Sequence, residues 1–160
     1  MALIHHSRAP VTAVYSVPQV QSVDEFKPRG LWVSVDDAWK SWCEDNEFNL
    51  ADLAYPHVVT LAPDANVLCL KSAEDIDDFT RLYAYSRHGM GSCLYAHWDL
   101  VAAKYQGMII APHIWERRLC PATFWYYGWD CASGCIWDAA AVERIEPMPL
   151  AAGAGNAEVA

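Results

Sequence analysis

Leu3-Ile4-His5-His6-Ser7, followed after an irregular stretch by Lys27-Pro28-Arg29-Gly30-Leu31-Trp32-Val33-Ser34, reads as two short apolar strands that each end in a polar residue. Gly30 frees the backbone for a tight approach to the second of them. Ser34 is placed to cap a following helix, with Asp36 and Asp37 in its first turn, where acidic side chains favour the positive end of the helix dipole. In Ala38-Trp39-Lys40-Ser41-Trp42-Cys43 the two indoles and the thiol then fall at i, i+3 and i+4, on one helical face.

Outward from that front segment the chain alternates between strand-like and helix-like patterns. Pro10 to Glu25 is expected to hold a short helix and a loop, and Asn46 to Pro56 a connecting loop. His57 to Leu61 is rich in β-branched residues, Pro63-Asp64-Ala65-Asn66 has turn chemistry, and Val67 to Leu70 returns as a strand, so that 58–70 reads as a hairpin. Ser72 opens a helix running to about Tyr85, with Ile76, Phe79, Leu82 and Tyr83 on its buried face. Arg87 to Ser92 breaks the pattern, Trp98 to Tyr105 reads as a short helix, and Gly107 to Pro112 as a buried strand. Thr123 to Trp129 reads as an aromatic strand and Cys135 to Trp137 as another. Helices and strands are interspersed with few βαβ crossovers, which predicts an α+β fold. A single globular domain over 1–147 and a loose Ala/Gly-rich tail over 148–160 are expected. Neither a Gly-x-Gly-x-x-Gly after a strand nor a phosphate-loop motif occurs.

Composition narrows the function classes. Hydrophobic residues make up 54% of the 160 residues, which excludes a disordered chain. Eight tryptophans suit a core or a stacking site for flat ligands. The net charge of −9 argues against broad nucleic-acid binding through charge, although Arg8, Lys27 and Arg29 make a local basic exception around the two opening strands. Most of the six cysteines lie in apolar runs, as buried, reduced thiols do. With no apolar leader and no run near the ~20 residues of a membrane span, a cytoplasmic protein without a membrane association is expected.

The order of motifs resembles the ADP-ribosyltransferase-like superfamily. His5-x-Ser7 is similar to the His-x-Thr of RNA 2′-phosphotransferases and DNA-targeting ADP-ribosyltransferases, and Gly30-Leu31-Trp32-Val33-Ser34 to the second-strand motif of the same group. Val58 to Leu70 resembles its central hairpin. The resemblance implies split mixed and antiparallel sheets with a few short helices around a cleft that takes NAD as substrate. It also implies roles. His5 would hold a ribose hydroxyl, Arg8 or Arg29 the pyrophosphate, Trp32 (with Gly30 before it) the nicotinamide, and Ser34 the ring's amide. The third motif departs from the family. Laying Cys135-Ile136-Trp137-Asp138-Ala139 on it puts Ser133 where a Glu would stand, so that Asp130 from the preceding turn, or Ser133, takes the third position. A carboxylate there would stabilise the oxocarbenium-like charge that develops as nicotinamide leaves. Such chemistry would pass ADP-ribose to a macromolecular acceptor, protein or nucleic acid, or to water.

Three other readings use the same residues. Cys120, Cys131, Cys135 and His113 offer zinc-ligating atoms, though at only one suitable spacing. Cys131, on a turn beside Asp130, offers a nucleophile if a histidine is near. An acidic, aromatic-rich chain also suits a non-enzymatic domain that binds a protein partner, including an inactive member of the same fold.

Overall fold

In the computed structural model, which describes residues 1–20 and 26–148, the two opening runs form neighbouring strands, β1 (Leu3–Ser7) and β2 (Leu31–Val35). Helix α1 (Ala38–Asp45) follows, then β3 (Tyr55–Leu61), β4 (Val67–Leu70), α2 (Ala73–Tyr83), β5 (Ala84–Ser86), β6 (Leu94–Ala96), α3 (Trp98–Ala102), β7 (Gly107–Ile110), α4 (Trp115–Arg118), β8 (Ser133–Ile136) and β9 (Val142–Pro147). Seven strands make one sheet in the order β4-β7-β8-β2-β1-β3-β9, and β5 and β6 pair separately. Neighbours in the large sheet are antiparallel except β4 and β7, which are parallel. The expected α+β class is what the chain adopts.

Alternation across the pleat splits the core between two faces. Met108 and Ile110 of β7 join Ile76, Phe79, Trp98, Trp125 and Trp129 on the helical side, while Ile109 packs with Leu3, Val33 and Val59 on the other. The neighbouring strands β7, β8 and β2 approach closely because three residues in or beside them lack a side chain. A Cβ on Gly30 (φ +152°) would lie 2.4 Å from the Ile136 carbonyl oxygen, one on Gly107 2.6 Å from Ile136 Cδ1, and one on Gly134 2.4 Å from the Met108 carbonyl oxygen. Helix α2 is well started, since Ser72 and Asp75 form a reciprocal capping box. No helix among the described residues is long and apolar enough to cross a membrane.

Several expectations are corrected. The 58–70 hairpin does not form, because β3 pairs with β1 and β9 while β4 pairs with β7 at the far edge. Asn66 directs that choice. Its side chain donates to the Lys104 carbonyl, its N–H to Gln106 Oε1, and its carbonyl accepts from Gln106 N–H, which ties the start of β4 to the start of β7. Ser34 lies inside β2 and caps nothing; α1 begins after Asp37, whose side chain makes no capping bond. The 121–126 segment is 3₁₀ helix rather than strand, begun by Pro121, and it drives Trp125 and Tyr126 fully inward. Their polar atoms are met there, Trp125 Nε1 donating to Thr80 Oγ1 and Tyr126 Oη accepting from Ile114 N–H. Leu82 is 68% exposed, so the buried face of α2 is Ile76, Phe79 and Tyr83 alone. Residues 10–20 contain no helix, and 21–25 lie outside the described residues, as does all but Met148 of the expected tail. Cys69 is exposed on β4, whereas Cys43, Cys131 and Cys135 are buried as free thiols.

Candidate functional site

The β1–β2 ladder ends at the pair Ile4–Ser34. Beyond it the Trp32 carbonyl is taken by the His5 ring, Nδ1 donating at 2.7 Å. Where the backbone pairing stops, a cleft of about 280 Å³ opens, lined by His5, His6, Trp32, Ser34, Asp130 and Ser133 together with Lys27, Trp39, Asp52, Gly128 and Cys131. Ser34 and Ser133 are direct partners across β2 and β8, so their hydroxyls arrive side by side on the cleft floor.

Each lining group has a definite hydrogen-bonding capacity. The bond to the Trp32 carbonyl requires a proton on His5 Nδ1, which leaves Nε2 of the neutral ring as an acceptor. Burial pushes the His5 pKa below its ordinary value, the Trp32 carbonyl opposes this in part, and His57, with ring centroids 6.2 Å apart, lowers it further. His6 is pushed down chiefly by burial and then by His5. Ser34 Oγ donates to the carbonyls of Ile4 or Asp36 (3.3 and 3.2 Å), and Ser133 Oγ to that of Cys131 (3.0 Å). Both hydroxyls thus spend their proton on the backbone and keep lone pairs. The cleft is rich in acceptors. Its cation is Lys27, whose ammonium lies 4.9 Å from the centroid of the Trp32 ring. Burial lowers the Lys27 pKa, and Asp130 partly offsets this.

Asp130 is not free. Its carboxylate is ion-paired with the Arg118 guanidinium, which also donates through Nε to the Trp129 carbonyl at 3.1 Å. Burial raises the pKa of the neighbouring Cys131 thiol to about 11, which disfavours the thiolate that a nucleophile requires. Groups of three or more His, Cys, Asp or Glu able to hold a metal ion are absent among the described residues, so Cys120, Cys131, Cys135 and His113 do not assemble into a zinc site.

No family model, curated protein or solved structure matches this chain. The site therefore has to be read from its own chemistry.

Of the residues singled out from sequence, His5, Trp32, Ser34, Asp130 and Ser133 line the one cleft, while Arg8, Arg29 and Gly30 do not. Arg8 is at the surface, ion-paired with Asp52. Arg29 is exposed, and its backbone exchanges hydrogen bonds with the Gln19 side chain. Gly30 packs β2 against β8 and meets no ligand space. His6, Trp39 and Asp52 were not expected in the lining. His6 adjoins His5 in sequence; Trp39 reaches the cleft from α1, and Asp52 from a single 3₁₀ turn (Leu50–Leu53) carrying no pattern that would mark it.

Proposed function

We propose that the cleft binds NAD and that the protein is an NAD-dependent ADP-ribosyltransferase acting on a macromolecular acceptor. One observation carries the reading: a wall of hydrogen-bond acceptors, with His5 held in a single tautomer, faces an indole and a cation in one cleft. The nicotinamide riboside half of NAD offers the matching donors, namely ribose hydroxyls for His5 Nε2 and a carboxamide NH₂ for the lone pairs of Ser34. The flat ring would lie against Trp32. A cleft of about 280 Å³ is at the small end of ligand sites, so it takes that half and leaves the adenosine at the mouth. In the reaction the C1′–N bond breaks, neutral nicotinamide leaves, and the acceptor's nucleophile forms the new bond to C1′ as it gives up its proton to water. His5 would orient the ribose, and Ser133 would present lone pairs where positive charge develops.

A second reading is favoured by the Asp130–Arg118 ion pair. With Asp130 neutralised by a guanidinium and Asp52 paired with Arg8, the cleft lacks a free anion among the described residues, as a domain that binds its ligand or a protein partner without turnover would. Two measurements separate the readings. Millimolar NAD should raise the melting temperature of the full chain by mass action in either NAD-binding case. Nicotinamide release should accompany it only for the enzyme. Absence of both would remove NAD from the site.

A further inference from the structure

We infer that Lys27 is the cleft's anchor for the phosphate groups of its ligand, and that Gly128 is the positioning residue that holds it there. Lys27 lines the cleft and is half-buried, yet among the described residues no carboxylate stands within ion-pair distance of its ammonium. Asp130, the carboxylate whose charge acts on it, is committed to Arg118. A sheltered cation with no counter-charge at ion-pair distance among the described residues is costly unless something arrives to meet it. Among the described residues its ammonium meets the Trp32 ring at 4.9 Å, an interaction that leaves the N–H donors available to anionic oxygens.

The stem of Lys27 is held by fit. A Cβ on Gly128 would lie 2.2 Å from Lys27 Cε, 3.1 Å from its Cδ and 2.7 Å from Phe26 Cε1. The methylenes therefore run through the space that a side chain at 128 would fill, and any other residue there would push the ammonium out of its place. Arg8 and Arg29, the cations that sequence suggested for a pyrophosphate, stand outside the lining. A compact ammonium beside an acceptor-rich wall suits a ligand with donors at one end and a phosphate or diphosphate at the other. The proposal rests on the NAD reading for the identity of that ligand, but its test needs neither NAD nor turnover.

The probes are inorganic pyrophosphate, acetate and nicotinamide riboside, titrated into the full chain and followed by tryptophan fluorescence. Wild type should bind pyrophosphate more tightly than acetate. Lys27→Met should weaken pyrophosphate at least tenfold and should not weaken nicotinamide riboside, which carries no phosphate and whose own ring is cationic beside the Lys27 ammonium. Gly128→Ala should weaken pyrophosphate too, and the double variant should be no worse than Lys27→Met alone, since both changes act through one ammonium. If Gly128→Ala does not fold by circular dichroism, Lys27→Met carries the test. Equal pyrophosphate binding by wild type and Lys27→Met, no pyrophosphate binding at all, or a preference for acetate would overturn the anchor. Lys27-dependent pyrophosphate binding with no binding of nicotinamide riboside would keep the anchor and discard NAD.

Discussion

Asp130→Asn separates a residue that acts on substrate from one that holds the cleft together. The substitution keeps the shape and one acceptor oxygen but removes the charge facing Arg118. The two side chains are 17% and 20% exposed, so the pair is neither a surface ion pair nor a fully buried one. Surface pairs contribute about 0–1 kcal/mol and one-sided loss of a buried pair costs about 3–5 kcal/mol. Arg118 also retains the Trp129 carbonyl and its packing on Trp115 and Tyr127, at 5.5 and 5.2 Å from the ring centroids. A loss near 2 kcal/mol is therefore expected, roughly a 4–8 °C fall in melting temperature for a chain of this length. Calorimetry would read the stability, and nicotinamide release under saturating NAD the rate. On the argument that Arg118 already neutralises Asp130, the rate should fall less than about tenfold. An unchanged melting temperature with turnover reduced by a hundredfold or more would sink that argument and return Asp130 to the reacting ribose.

Three further outcomes are expected. His5, His6 and His113 are all pushed below the ordinary histidine value by burial, so the unfolded chain takes up protons first; their contribution is complete above about pH 6.5 and is lost as pH falls from there through the folded values, at less than ~1.4 kcal/mol per pH unit for each partly exposed ring. Urea melts that give one stability from pH 7.5 to 5.5 would contradict this. Gly134→Ala should cost about 2 kcal/mol or more, because the added carbon meets the Met108 carbonyl at 2.4 Å and Ile109 Cα at 3.0 Å on a central strand with no room to retreat; an unchanged urea midpoint would refute it. Ser72→Ala removes one half of the capping box on α2 and should cost about 1 kcal/mol, seen as a melting temperature a few degrees lower.

The parts of this fold that sequence shows are those that depend on neighbours in the chain. The strands at 3–7, 31–35 and 107–110 and the Ser72-capped helix follow from local apolar patterning and turn chemistry. The partner of β4 does not, because two hydrogen bonds from Asn66 to residues some forty positions away decide it. The aromatic run at 123–129 misleads by composition. Trp125, Tyr126 and Trp129 are all fully buried, a spacing that belongs to a tight helical turn and not to a strand's alternation. At the site, the residues on β1, β2 and β8 meet because those strands are sheet neighbours, an order that sequence alone does not contain. The Arg118–Asp130 pair was hidden for the same reason, since it closes across irregular chain. Lys27 stood in the same run as Arg29, and what distinguishes the two, the Trp32 ring under its ammonium and the bare Gly128 opposite its stem, comes from residues distant in the chain.

Gly30, Gly107 and Gly134 have a consequence for how the protein responds to random change. Gly107 and Gly134 sit on β7 and β8 and Gly30 just ahead of β2, the strand beside them, each pressed against a neighbour where a methyl group has no space. A library of variants scored only by activity would flag them as strongly as His5 or Trp32, although none of the three lines the cleft. Scoring folded protein alongside activity would divide the sensitive positions into two sets. Natural drift should treat them differently as well: a descendant that changed its ligand would be free to exchange the cleft side chains, while the three bare positions beneath would persist for as long as the sheet does.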